Sequence, residues 1–177
     1  SVMFRRAEIP QPFLPEYFLY HEDVFLSWRM RLVGREVRMA QRSVVYHRGS
    51  VTTKTQASAF VTFYQERNKL LNMLLLFNGW TLVRLAPLVV MEGAAKLVVG
   101  AVTGRKSPLG IVRGYVWILV HPGWIMTRRR EIQASRVVPD SQILRWMSGR
   151  LLDGDSGPAR VVNGCMRLYA RVTGLSF

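Results

Sequence analysis

Between Tyr17 and Arg31 the chain changes its period. Tyr17-Phe18-Leu19-Tyr20 is an aromatic run that belongs in an interior, and His21-Glu22-Asp23 ends it with three ionisable groups. Phe25, Trp28 and Leu32 then recur at helical spacing. Such a stretch has to bury its first piece, wind its second into an amphipathic helix and set the charged residues at the junction, here expected to run from strand to helix. Adjacent carboxylates disfavour each other's ionisation, and burial beside Tyr17 and Phe18 adds to the effect. That suits a general base whose pKa is lifted towards the working pH. It equally suits a plain helix start, with Asp23 as N-cap and Glu22 in solvent.

Around this stretch, Pro10, Pro12 and Pro15 make Ile9–Pro15 an extended or turning connector. Gly34 is placed to end the helix. Val37 and Met39 alternate with Glu36 and Arg38, which predicts a strand, and Ser43–Tyr46 predicts another. His47 follows directly, ahead of a turn at Arg48-Gly49-Ser50. From Ala57 the pattern is helical: Phe60, Phe63, Tyr64, Leu70, Leu71 and Leu74 lie close to helical spacing over Ala57–Phe77. Glu66-Arg67-Asn68-Lys69 is set into that helix, and by default its Arg67 and Asn68 form a solvated stripe.

Several motifs recur together in one order. Tyr17 to Arg29, then Gly34-Arg35-Glu36-Val37-Arg38, then Val44-Val45-Tyr46-His47-Arg48-Gly49-Ser50, then Glu66-Arg67-Asn68-Lys69-Leu70-Leu71 resemble the inverting family 2 glycosyltransferases, in particular their rhamnosyltransferase-like branch. The resemblance runs from the first residue to about Leu152. It implies a GT-A-type domain and transfer of a sugar, rhamnose in that branch, from a nucleotide-sugar donor to a hydroxyl of a glycan or lipid-linked acceptor in cell-surface polysaccharide synthesis. Asp23 would be the general base and Glu22 its tuning or orienting neighbour. His47 would reach a divalent metal, Mn2+ or Mg2+, at the donor diphosphate; imidazole suits Mn2+ better than Mg2+. His21, Trp28, Arg29, Arg67 and Asn68 would contact acceptor or phosphate. The family's Asp-x-Asp metal motif does not occur, so the resemblance implies a donor-binding half upstream and a fragment inactive alone. One departure stands out: Phe25 occupies a position where the family commonly has a further acidic residue.

Charge points the same way as the apolar patterning. The net charge is +14, with nine Lys/Arg against five Asp/Glu before residue 57 and sixteen against six after it. Basic residues interleaved with Leu, Val, Trp and Phe suit an anionic membrane surface better than a nucleic-acid groove, and no nucleic-acid recognition motif is present. Asn78, Gly79, Arg84 and Pro87 interrupt the apolar run Leu70–Val90, and His121-Pro122 breaks Gly114–Met126, so both are expected to lie in the membrane plane or insert partly rather than span it. Trp117 and Trp124 would sit at headgroup level, with Arg128, Arg129 and Arg130 beside them. The single cysteine, Cys165, excludes an intramolecular disulfide and reads as a small apolar filler in a C-terminal helix.

The expected fold is therefore α/β: the C-terminal part of a GT-A domain followed by a mainly α-helical membrane-facing tail. Residues 1–56 form the acceptor-side catalytic portion, 57–152 the membrane-associated helices, and 153–177 a loop and short basic helix. The opening Ser1-Val2-Met3-Phe4-Arg5-Arg6 has neither an initiator methionine nor a signal-peptide pattern, and is expected to continue a longer chain. The expected location is peripheral, on the cytoplasmic face of a bacterial inner membrane. The rival reading is a non-catalytic, basic membrane-binding module in which Glu22 and Asp23 only start a helix.

Overall fold

Seven helices follow one another along the computed structural model, which describes residues 4, 9, 11–38, 40, 42–44, 46, 58–104, 106–148 and 157–175. They are α1 (Glu22–Leu32), α2 (Ser58–Leu76), α3 (Gly79–Thr103), α4 (Pro108–Val120), α5 (Pro122–Gln133), α6 (Asp140–Leu144) and α7 (Gly157–Thr173), preceded by a 3₁₀ turn at Pro15–Tyr17. Local chemistry sets most of the boundaries. Gly34 takes the left-handed conformation (φ 75°) just past α1. Asn78 caps α3 by accepting from the Thr81 amide at 2.8 Å. Ser107 caps α4, with Pro108 at its first position. His121 and Pro122 break α4 from α5, which turn from each other by 74°.

α2 is the spine. α4 lies closely against it because Gly110 and Gly114 face it: a Cβ at Gly110 would fall 2.6 Å from the Ala59 carbonyl oxygen and 2.7 Å from Thr62 Cβ. α5 closes the other end of α2. Arg129, Gln133 and Arg136 donate to the carbonyls of Leu74, Leu75 and Leu76, the acceptors a helix C-terminus leaves without partners. A single apolar core runs from Leu14, Tyr17 and Phe25 through Leu71, Leu75 and Phe77 to Met166, Ala170 and Leu175. Each of the three parts expected from the sequence contributes to it.

The α/β expectation, a GT-A portion with a helical tail, is not met: no strand occurs among the described residues. The aromatic run before α1 is a turn. Residues 35–38 are irregular, and so are Ser43, Val44 and Tyr46. Alternation only describes a ribbon whose edges need partners, since strand backbone is satisfied across to a neighbour whereas helix backbone is satisfied within itself. Val37, Val44 and Tyr46 are instead exposed, without a paired edge to hold them. Cys165 is also exposed rather than filling an interior.

Candidate functional site

The turn that delivers His21, Glu22 and Asp23 is unusual in its backbone. Phe18, Tyr20 and His21 all have positive φ, 48°, 65° and 64°, a region that costs a non-glycine residue about 1–3 kcal/mol and persists only where neighbours fix it. α2 does the fixing. The Asn68 side-chain nitrogen lies 2.8, 2.7 and 2.9 Å from the carbonyl oxygens of Tyr17, Leu19 and Tyr20, so two protons serve three acceptors. One turn further along, Asn72 donates to the His21 carbonyl at 3.3 Å and accepts from the Tyr17 hydroxyl. Burial pushes the Tyr17 phenol well above its usual value, against the opposing pull of Arg67.

Neighbouring residues of α2 face different partners. The Arg67 guanidinium lies 5.0, 4.7 and 4.9 Å from the ring centroids of Phe63, Tyr64 and Trp117. It donates to the Glu16 carbonyl and, at 2.9 and 2.8 Å, to Asn68 Oδ1, which holds the Asn68 amide in the orientation the turn needs. Glu66 is only 3% exposed. Its carboxylate accepts from Lys96 Nζ at 2.8 and 2.9 Å and from Lys106 Nζ at 3.3 Å, and Glu92 binds Lys69 and Lys96 beside it. The expected solvated stripe at Arg67 and Asn68 is thus buried, tying the turn to α3 and α4.

A cavity of about 450 Å³ opens over the junction, lined by His21, Asp23, Gln65, Lys69, Lys96 and Lys106 among others. Asp23 is exposed at its edge. One oxygen accepts from the Val24 amide at 2.7 Å, and the other has no partner among the described residues. Asp23 does not cap α1, because the residue before the helix is His21. Burial lowers the His21 pKa from its ordinary 6.5, partly opposed by Asp23; burial likewise lowers that of Lys69, opposed by Glu92. The site therefore offers a carboxylate with a bare oxygen, a neutral imidazole and three ammonium groups engaged by Glu66 and Glu92.

Other predicted site residues do structural work. Trp28 packs on Phe77, ring centroids 5.3 Å apart, and Arg29 donates to the Gln11 carbonyl. Trp117 stacks on His121 at 4.1 Å, and Trp124 donates to Glu16 Oε1 at 3.0 Å, so both indoles face neighbours in the fold. Arg128 pairs with Glu131 at 2.8 Å, Arg129 faces inward, and Arg130 is exposed. His47 lies outside the described residues. Among the described residues no three His, Cys, Asp or Glu side chains are grouped to hold a metal ion. Comparison with protein-family models, curated proteins and solved structures returns no match.

Proposed function

We propose that this chain acts in inverting glycosyl transfer, presenting Asp23 to an acceptor hydroxyl. One observation carries the reading: two motifs some fifty residues apart, His21-Glu22-Asp23 and Arg67-Asn68, meet as one unit in which Asn68 holds the carbonyls of Tyr17, Leu19 and Tyr20 in the turn that leads into the first. In the reaction the acceptor O–H proton passes to the bare Asp23 oxygen as the acceptor oxygen bonds to the anomeric carbon. The bond from that carbon to the nucleotide diphosphate breaks on the opposite face. The rigid turn holds Asp23 in place for this step. The donor is a nucleotide-sugar, with rhamnose the sugar the resemblance favours, and the acceptor is a glycan or a lipid-linked saccharide. No step is assigned to a metal. The test uses membranes from cells expressing the chain from its own gene and from cells lacking it, supplied with sugar-labelled nucleotide donors. Label entering glycan only when the chain is present supports the reading, and equal incorporation overturns it.

A second reading, membrane attachment with or without catalysis, rests on a separate observation. α3 and α4 expose Val83, Val90, Val98, Val102, Val116 and Leu119, with Val102 81% exposed. Contiguous apolar surface of this kind marks an interaction face. α3 is the one described helix long and apolar enough to cross a bilayer, while α4 and α5 pass only as a bent pair. Glu92 and Lys96 in α3 pair with α2, which favours a helix lying on the anionic cytoplasmic face of an inner membrane over one passing through it.

A further inference from the structure

At the far end of α1, eight residues and so about 12 Å of helix from Asp23, two arginines converge without a carboxylate between them. The Arg31 guanidinium lies 4.1 Å from the centroid of the Trp146 ring, and that of Arg145 lies 5.6 Å from the same centroid. Neither is ion-paired to any described carboxylate. Like charges brought together cost free energy, and Arg145 adds to the burial that lowers the Arg31 pKa.

The convergence is built in. The Val137 amide donates to the Leu32 carbonyl at 2.9 Å, joining the end of α1 to the segment that leads into α6. Gly34 lies so close that a Cβ there would sit 3.4 Å from Val137. Between these walls is a cavity of about 450 Å³, lined also by Arg35, Arg38, Gln142 and Glu36. Glu36 is the one carboxylate among the described residues that line it, and Arg38 occupies it at 2.6 Å. Arg31 and Arg145 therefore face the cavity with no described carboxylate on either, and their planar forks match the oxygens of phosphate.

We propose that this cleft binds a phosphate group, clamped between Arg31 and Arg145 against the edge of Trp146. The cavity exceeds a bare phosphate in size, so the ligand carries a further group: a soluble phosphorylated molecule or an anionic lipid headgroup. Trp146 reports occupancy, since it is 61% exposed and a bound anion draws both cations away from its ring.

The experiment titrates the full chain with inorganic pyrophosphate, following tryptophan fluorescence and binding heat. A parallel arm uses vesicles of phosphatidylcholine with and without phosphatidic acid. The expected result is saturable binding in at least one arm, lost in fluorescence with Trp146→Phe and weakened roughly tenfold for each of Arg31→Gln and Arg145→Gln. Arg167→Gln, which removes an exposed arginine elsewhere, should leave binding unchanged. Pyrophosphate binding alone identifies a soluble ligand, and binding only to phosphatidic acid vesicles identifies a headgroup. Arg145 is exposed, so its variant keeps the test decisive if Arg31→Gln fails to fold. Equal binding by parent and Arg145→Gln, or no binding in either arm, overturns the assignment.

Discussion

The Asn68 side-chain nitrogen lies 2.9 Å from the Tyr20 carbonyl oxygen, the last backbone acceptor before His21-Glu22-Asp23. Asn68→Ala strands three carbonyls and releases Arg67 from Oδ1. Each buried polar group left without a partner costs about 1–3 kcal/mol. A urea titration should show a lower midpoint with the slope unchanged, and hydrogen exchange should show the amides of residues 18–22 losing protection first. A midpoint equal to the parent's would mean the turn holds its own shape.

Glu66 is buried among Lys96 and Lys106, and removing one member of such a group leaves the others charged without compensation. Glu66→Ala should therefore lose roughly 3–5 kcal/mol. Combining it with Lys96→Met should cost less than the sum of the two single changes. Strict additivity in that double-mutant cycle would show the pair to be uncoupled.

His21 has a folded-state pKa depressed below 6.5 by burial, so the unfolded chain binds its proton more readily. Its contribution to stability is complete above pH 6.5 and is lost as the pH falls through the folded value. His21→Gln should flatten that part of the stability profile while leaving the profile above pH 7 unchanged. Asp23, Glu66, Lys69 and Lys96 act on the same ring, so the comparison is made at constant ionic strength. Identical acid limbs for parent and variant would contradict the assignment.

If α3 and α4 lie on a membrane, their valines matter more than the arginine triplet. Val90→Asn, Val98→Asn and Val102→Asn should each weaken vesicle co-sedimentation about tenfold, since a buried valine is worth about 1.5 kcal/mol or more. Arg129→Gln should instead destabilise the fold, because its guanidinium caps the Leu74 carbonyl. Vesicle binding lost with Arg129→Gln in a variant of parental stability would reverse this view.

Much of the helical framework is legible in the sequence, because helices are written locally. The spacing of Phe25 and Leu32, the stop at Gly34, and the breaks at Asn78-Gly79 and His121-Pro122 all reappear. Strands are not local in this sense: the alternation at Val37 specified a face without supplying an edge to pair with. Nor did spacing reveal the direction of Asn68, Arg67 or Trp124, whose partners lie about 50 to over 100 residues away. Long polar side chains within apolar helices carry no sign of whether they face solvent or another backbone.

The most direct measurement of the central claim compares parent and Asp23→Asn for sugar transfer in the chain's own membranes, with circular dichroism and thermal unfolding matched between the two. Asp23 is exposed and holds only the neighbouring Val24 amide, so the substitution should leave the fold intact. Removal of a general base lowers the rate by about 10²–10⁴-fold, and that is the loss predicted, with Glu22→Gln reducing it less. Transfer by Asp23→Asn at the parental rate would contradict the assignment of Asp23 as the base.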